Sequence, residues 1–368
     1  MTHRTLTLRE LNRTTLARQL LLERSTLSVP AAIETLVGLQ AQVPNPPYIG
    51  LWTRLPAFQR GTLMGLIESK QVVRAAMMRS TLHLLTAEDF LRLRAPLTPA
   101  LLKAMKAFFG KRIQGLDTEQ FAESMRAVFD ETPLAFSEAR AALTERAPDR
   151  DFNALAYVAR AYLPLMQLPP GGYWSSGGSP AYATADHWLG RSIQPSSDPA
   201  ELIRRYLAAF GPASLKDAQA WAGMTTLKEA FQRLTDELIV YRSEDGETLY
   251  DLPGLPILDG ETPAPVRFIP EYDNLVLAHA DRRRVIADAY RPLVYLSAGR
   301  VRSTILVDGF MAGTWKIEKV RKAAALVIEP CLTLSAADQA ALAEEGERLL
   351  RWAEDRAEQY TVRFEPTA

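Results

Sequence analysis

The chain has 368 residues, of which 47% are hydrophobic and 23% are charged. This length can bury a large core and usually folds as two or three domains. The 43 basic and 43 acidic residues cancel, which argues against a large nonspecific DNA-binding coat but leaves room for a local basic groove.

The sequence predicts neither membrane association nor a metal centre. It begins with polar residues and has no apolar run near the ~18 residues of a membrane span, so we expect a cytoplasmic protein. The single cysteine, Cys331, excludes an intrachain disulfide and a cysteine-based metal cluster. The four histidines are widely separated. The chain also lacks the usual nucleophile-elbow, phosphate-loop and dinucleotide motifs, and we expect no cofactor.

Two helices and two strands are predicted in the N-terminal part. Ser28 can cap the first helix, and Pro30 suits its first turn. Apolar residues then follow helical spacing as far as Gln40, and alternating apolar residues mark the strands. The predicted elements are helices at 31–40 and 63–69 and strands at 72–78 and 81–85.

Gln40 and Gln42 stand at the expected end of the first helix. Pro44 disfavours helical backbone at Val43, so the helix should break there. On an intact helix the two side chains would point about 200° apart, whereas at a broken end they can converge on one cleft. The alternative is that both amides only cap the helix or face solvent.

The clearest module precedes the last third of the chain. Ser214 and Asp217 form a capping box that opens a helix, and Gly223 ends it. A second helix follows, and then two strands meet at the Asp245-Gly246 turn. Helix, turn, helix and hairpin in this order are the winged-helix pattern.

Two earlier segments repeat this order less regularly, so we predict an α+β protein with three tandem winged-helix units. In the second unit, helices at 136–143 and 152–162 precede strands around the glycine-rich segment 169–180. A C-terminal β-hairpin at 304–315 and a closing helix at 335–359 complete the prediction. The predicted domains are 1–115 with the glutamine motif, 116–195, 196–258, and the C-terminal region 259–368.

Further motifs follow the glutamines, at residues 47–55, 79–85, 269–274, 281–282 and 307–315. Their order, from about Leu8 to about Lys322, resembles that of the bacterial tandem winged-helix DNA glycosylases of the AlkZ type. That family includes self-resistance enzymes that remove bulky N7-alkylated purines and unhook interstrand crosslinks. Its active-site signature is glutamine, any residue, then glutamine or aspartate, which Gln40 and Gln42 match.

The resemblance implies three winged-helix units around a concave DNA-binding surface. It also implies a DNA glycosylase whose partner is duplex DNA carrying alkylated purines, and we expect a monomer associated with the nucleoid. Because a lyase needs an amine nucleophile and no lysine adjoins the glutamine motif, we expect a monofunctional enzyme. Two alternatives remain open. A non-catalytic winged-helix regulator would explain the helix-turn-helix units but not the paired glutamines, and a hydrolase or transferase outside DNA chemistry is the other.

The glutamines suit one kind of lesion. An N7-alkylated guanine carries a fixed positive charge and departs as a neutral base, so acid catalysis is hardly needed. An amide oxygen can accept a hydrogen bond from the attacking water and stabilise positive charge on the sugar. We therefore expect Gln40 and Gln42 to be catalytic and to position water below C1′.

Other residues are weaker candidates for contacts with DNA. His83 is better explained as a buried, hydrogen-bonded histidine, and Trp315 as a core residue. Tyr272 and Asp273 suit packing and capping, whereas aromatic residues in a glycine-rich wing can wedge between bases. Basic residues cluster around Phe108-Phe109 and again from Arg282 to Lys322. The candidate contacts are Asn45, Arg79, His83, Tyr173, Trp174, Tyr272, Asp273, Arg282, Arg283, Arg284, Trp315, Lys316 and Lys319.

Overall fold

The computed structural model describes residues 4–367 and has an α+β fold, as predicted. None of the helices in this range is both long and apolar enough to cross a membrane. The helices are α1 (Leu8–Arg18), α2 (Val29–Thr35), α3 (Pro46–Arg54), α4 (Arg60–Glu68), α5 (Ala87–Leu93), α6 (Thr98–Phe109), α7 (Thr118–Glu131), α8 (Arg140–Arg146), α9 (Phe152–Tyr162), α10 (Ala185–Leu189), α11 (Ala200–Phe210), α12 (Leu215–Ala222), α13 (Lys228–Leu234), α14 (Arg291–Val294) and α15 (Ala336–Ala353).

The strands form three sheets, in the orders β2-β4-β3-β5-β6, β1-β7-β8 and β13-β12-β11-β10-β9. The strands are β1 (Thr5–Leu6), β2 (Leu39–Gln40), β3 (Val72–Ala76), β4 (Leu82–Thr86), β5 (Leu165–Gln167), β6 (Tyr182–Thr184), β7 (Ile239–Ser243), β8 (Thr248–Asp251), β9 (Arg267–Ile269), β10 (Thr304–Val307), β11 (Phe310–Val320), β12 (Ala323–Pro330) and β13 (Gln359–Phe364).

The segment with the glutamines is extended, which corrects the predicted helix at 31–40. Helix α2 ends early, and Gly38 adopts a φ of 85°, a left-handed conformation that side chains disfavour. A Cβ at Gly38 would also lie 3.0 Å from a neighbouring leucine side chain. After this turn the chain enters β2, where Gln40 pairs with His83 of β4. Periodicity within the segment cannot reveal this pairing, because the partner strand lies elsewhere in the chain.

The first two predicted units share a single sheet. The β3–β4 hairpin forms as predicted, and β3 pairs on its other side with β5 of the second unit. Strand β2 lies at the edge of this sheet, next to β4. The winged-helix domain boundaries therefore remain a prediction, but the shared sheet fixes the glutamine strand relative to both units.

The helix-turn-helix and hairpin of the third predicted unit are confirmed. Ser214 and Asp217 form the capping box, and Gly223 ends α12 in the left-handed conformation. Helix α13 follows, and β7 and β8 pair as an antiparallel hairpin. Strand β1 adds to this hairpin in parallel, a long-range pairing that the local pattern does not show.

The C-terminal region differs in part from the prediction. The hairpin of β10 and β11 is present, but β11 continues to Val320 and pairs with β12 along its length. The closing helix α15 ends at Ala353, not near 359, and the following segment is β13. This strand pairs in parallel with β12, so the sheet encloses a core with α15 and helices α2 to α4.

Candidate active site

Gln40 and Gln42 lie on one edge of the first sheet. Strand β2 ends at Gln40, and Gln42 follows two residues later in a bend. Residues two apart in an extended chain point to the same side, whereas on a helix they would not. The Ala41 amide between them donates to the Leu82 carbonyl at 2.7 Å, which extends the pairing beyond β2. Gln40 is 6% exposed, whereas Gln42 is exposed to solvent.

The orientation of the Gln40 amide is fixed by Arg79. A guanidinium nitrogen of Arg79 donates to Oε1 of Gln40 at 2.8 Å. Because a guanidinium has no acceptor, the amide atom that faces it must be the oxygen. The amide nitrogen of Gln40, with two N–H donors, is therefore directed away from Arg79.

The Gln42 amide is held more loosely. Its Oε1 accepts from the backbone N–H of Leu82 at 3.3 Å, a long hydrogen bond. A carbonyl oxygen has two lone pairs, so one remains for a further donor. The exposed Gln42 oxygen is thus the better placed of the two to accept a hydrogen bond from a water molecule.

Two buried polar residues hold the backbone of the glutamine strand. Arg74, 6% exposed, donates to the Ala41 carbonyl at 2.9 and 2.6 Å. Asn274 donates to the Gly38 carbonyl at 3.0 Å and accepts from Arg79 at 3.0 Å. The sequence analysis missed both as site residues. The only local signal for Arg74 is a charged side chain in an otherwise apolar strand.

Arg79 also connects the glutamine strand to the third predicted unit. It donates to the Trp221 carbonyl at 2.7 Å, and Gly223 packs so closely that a Cβ would lie 2.7 Å from the Arg79 Cα. Burial, together with the nearby charge of Arg282, lowers the pKa of Arg79 to about 9. The guanidinium is therefore still charged at neutral pH.

His83 is completely buried behind the glutamines. Its Nδ1 lies 3.0 Å from the Thr81 carbonyl, whereas its Nε2 has no partner among residues 4–367. Burial and the charge of Arg79 lower the pKa of His83 to about 3. The imidazole is therefore neutral at physiological pH and donates its Nδ1 hydrogen to Thr81.

A groove of about 480 Å³ opens beside the end of the glutamine strand. Apolar surface from Val43, Ile49 and Ile317 and the ring of Trp174 give it walls that suit a planar or apolar group. Polar groups stand at its rim. The groove is lined by Val43, Pro44, Asn45, Pro46, Ile49, Trp174, Ser175, Ser176, Pro270, Glu271, Ser303, Trp315, Lys316, Ile317, Lys319, Ala353 and Glu354.

Glu271 is the acidic residue nearest to the glutamine strand in this groove. It lines the groove and also a small cleft whose wall includes Gln40. None of the ion pairs between residues 4 and 367 involves its carboxylate, unlike Glu354 on the opposite side, which pairs with Lys319 at 3.1 Å. Reduced hydration raises the pKa of Glu271, although the residue remains exposed. The sequence analysis missed this residue.

The glycine-rich segment 169–180 lies against α3. The Asn45 Oδ1 accepts from the Ser175 N–H at 2.7 Å, so Asn45 positions this segment. The ring of Trp174 packs edge-on against Trp352, with centroids 5.4 Å apart, and Tyr173 is half-buried. The segment therefore forms a wall of the groove, and the freely projecting wing expected from the sequence is not observed.

Several other candidates have structural contacts. Asp273 accepts a buried bidentate ion pair from Arg54, Trp315 donates to the Ile269 carbonyl at 3.0 Å, and Arg284, 5% exposed, donates to the Pro212 carbonyl. These contacts support the capping alternative for Asp273 and the core alternative for Trp315, and they occupy the Arg284 guanidinium inside the protein. Tyr272 is half-buried, with a φ of 60° in the turn after β9.

The remaining basic candidates have internal partners. Arg282 stacks 4.0 Å over the Tyr295 ring, and Arg283 pairs with Asp281 at 2.6 Å and also with Asp245. Lys316 pairs with Glu318 at 2.9 Å. Together with the Lys319 pair, these contacts reduce the free positive charge that the sequence analysis assigned to this region.

The α+β fold thus carries a helix-turn-helix unit, with Gln40 at the end of edge strand β2 and Gln42 just before the groove. The sequence model of the AlkZ-like DNA glycosylase family matches residues 33–352. This chain belongs to the AlkZ-like DNA glycosylase family. The resemblance inferred from the sequence motifs is therefore confirmed.

Individual relatives support the same grouping. The chain is 23% identical over 321 residues to an interstrand DNA cross-link repair glycosylase of Streptomyces sahachiroi, covering 82% of this chain and 85% of the relative. The solved structure of Streptomyces sahachiroi DNA glycosylase AlkZ superposes with a TM-score of 0.78 at 19% identity. That match covers 98% of this chain and all of the other, which shows that the fold is shared.

The buried histidine predicts a specific dependence of stability on pH. The unfolded chain protonates His83 below its ordinary pKa of 6.5, whereas the folded protein does so only near 3. The free energy of unfolding should therefore fall as the pH drops below 6.5, by about 1.4 kcal/mol per pH unit for this proton. His279, with a pKa lowered to about 3, adds a similar dependence.

In His83→Gln, the loss of unfolding free energy between pH 7 and pH 5 should be smaller than in wild type by about 2 kcal/mol. Urea unfolding at the two pH values measures it. Between pH 7 and 8, where both histidines are neutral, the two proteins should show the same dependence. An equal loss in both between pH 7 and 5 would contradict the assignment.

Proposed function

We propose that this protein hydrolyses the N-glycosidic bond of cationic N7-alkylpurines in duplex DNA, including purines joined in an interstrand crosslink. The carrying observation is a pair of amides in a member of a DNA glycosylase family: Gln40 ends edge strand β2, and Gln42 directly precedes Val43, which lines the groove. The name of the Streptomyces sahachiroi relative, a cross-link repair glycosylase, supports the extension to crosslinks.

The chemistry needed is modest and matches these side chains. A cationic purine leaves C1′ as a neutral molecule, so the leaving group needs little protonation. The sugar acquires positive charge in the transition state and must be attacked by a water molecule held in place. Hydrogen-bond acceptors aimed at that water and at the developing charge can supply the acceleration.

The two glutamines divide this work. The Oε1 of Gln42, with a free lone pair, accepts a hydrogen bond from the attacking water. Gln40, fixed by Arg79, keeps a second lone pair on its oxygen, which can stabilise the positive charge that develops at C1′. The contacts support this division, because the Gln42 oxygen is held by one long hydrogen bond at an exposed residue, whereas the Gln40 oxygen is held by a charged donor at a buried one.

Glu271 adds electrostatic stabilisation of the transition state. Its carboxylate forms no ion pair with the described residues and lies in the wall that includes Gln40, so it can stabilise positive charge on the base and the sugar. In a partly desolvated groove such an interaction is stronger than in bulk water. The groove itself can hold the bulky substituent of the purine.

The glutamine roles predict the behaviour of two variants. Gln40→Ala and Gln42→Ala should each lower the single-turnover rate of N7-methylguanine release more than about tenfold, which corresponds to the loss of one contact worth about 1.4 kcal/mol. DNA affinity and folding should be nearly unchanged. Gln71→Ala, at an exposed amide that bonds only Ser69, is the matched control. Rates near wild type in both glutamine variants would refute the mechanism.

The proposed role of the Glu271 carboxylate predicts that the rate of base release depends on pH. In wild type the rate should fall as the pH is lowered through the raised pKa of Glu271, because the protonated form loses its charge. Glu271→Gln should be about tenfold slower at neutral pH and should lack this fall. Since the charge of N7-methylguanine is fixed, the profile reports the enzyme. Identical pH profiles in both proteins would exclude the role of Glu271.

The product should be an intact abasic site. A lyase needs an uncharged amine to form a Schiff base, but Glu318 raises the pKa of Lys316, and Lys70 donates to the Trp188 carbonyl away from the glutamines. Borohydride added during turnover should trap no covalent adduct, and strand breaks should appear only after alkali. An adduct formed in stoichiometric yield would show instead that the enzyme is a lyase.

A further inference from the structure

The end of helix α6 exposes an aromatic side chain next to the hairpin that carries Arg79. Phe108 is 70% exposed, and its ring centroid lies 6.2 Å from that of Tyr157, in an edge-on arrangement. A single exposed apolar residue is common on protein surfaces. The charges and neighbours of Phe108 distinguish it from that case.

The chain around Phe108 is strongly basic. Between residues 90 and 116 there are six lysines and arginines and no acidic residue, in a protein whose charges otherwise cancel. Among the ion pairs of residues 4–367, none involves Lys103, Lys106 or Lys111, and Arg112 has a single contact at 3.3 Å with Asp151. In the C-terminal region, by contrast, each of Lys316, Lys319 and Lys322 forms an ion pair with a glutamate.

Contacts connect this surface to the candidate active site. The Tyr157 hydroxyl lies 2.8 Å from the Ser80 hydroxyl, and Ser80 follows Arg79, which holds Gln40. Arg160 stacks 4.7 Å over the Tyr157 ring and has no carboxylate partner among the described ion pairs. An aromatic surface with free positive charge therefore continues from the hairpin onto α6 and α9.

We propose that Phe108, Tyr157, Lys111 and Arg160, here called the α6 patch, bind the DNA duplex beside the lesion. The proposal rests on the proposed function, which makes damaged duplex DNA the substrate. Phe108 stacks on or wedges against the exposed face of a base pair, as apolar side chains do when they distort a duplex. Lys111 and Arg160 contact phosphates, which position the duplex without reading its sequence.

The charge of the patch favours DNA over a protein partner. A polyanion gains affinity from every unpaired cation that it neutralises, because each contact releases a counterion. Bases also offer flat faces to an aromatic ring, and this stacking depends little on sequence. The position beside Arg79 and Gln40 places such contacts on the same substrate as the glutamines.

The test uses the full-length protein and a short duplex containing N7-methylguanine with 2-aminopurine as its neighbour, together with the same duplex without damage. Phe108→Ala should weaken binding to both duplexes at least about fivefold and should remove the rise of 2-aminopurine fluorescence seen with wild type. Leu27→Ala, at a residue 41% exposed before α2, is the matched control. Excision at saturating protein should change less than about threefold.

A second variant separates the charge from the ring. Lys111→Gln should lower the slope of log affinity against log salt by about one, whereas Arg351→Gln, at an exposed cation paired with Glu347 on α15, should not. Equal binding and fluorescence for Phe108→Ala and Leu27→Ala would overturn the proposal. If wild type released no base but Phe108→Ala still bound weakly, the proposed function would fail and the α6 patch would stand.

Discussion

The buried ion pair between Arg54 and Asp273 sets the geometry on which the glutamine strand depends. Its two hydrogen bonds, of 2.8 and 2.9 Å, join α3 to the turn after β9, and the side chains are only 1% and 3% exposed. Such a pair adds little net stability, but loss of one partner leaves a buried charge, at a cost of about 3–5 kcal/mol. By fixing Asp273 it places the adjacent Asn274 against the Gly38 carbonyl and Arg79.

The positive charge that this protein exposes depends on which arginines and lysines have carboxylate partners. Most arginines and lysines of the C-terminal region are neutralised by nearby carboxylates, so they contribute to packing more than to a surface potential. Near Phe108, by contrast, no ion pair among residues 4–367 involves Lys103, Lys106 or Lys111, and Arg112 has one at 3.3 Å. A chain with no net charge can therefore still present a local positive surface, which is the quantity that matters for contacts with phosphates.

Local signals in the sequence were enough for the elements whose ends are marked by caps or turns. The capping box at Ser214 and the left-handed Gly223 correctly predicted α12, and alternation predicted the β3–β4 hairpin. Elements that depend on distant partners were missed, including β13, whose parallel pairing with β12 crosses α15. The glutamines combine the two cases, a local signal and a distant partner. Their residue types suggested the site, which stays a prediction, but the extended backbone at Gln40 depends on its pairing with His83, which helical spacing obscured.

Under the proposed function, the pairing of Gln40 with His83 also bears on which bases the site releases. A neutral base needs a proton donor to leave, yet the histidine opposite Gln40 is neutral, with its pKa lowered to about 3, and its Nδ1 hydrogen is directed at Thr81. Arg79 keeps its proton at neutral pH because its pKa is about 9. His83 therefore has no imidazolium proton to give at neutral pH, and the Arg79 guanidinium donates to Gln40, Asn274 and the Trp221 carbonyl. If the glutamines act as proposed, selectivity must arise from the charge that alkylation has already placed on the purine.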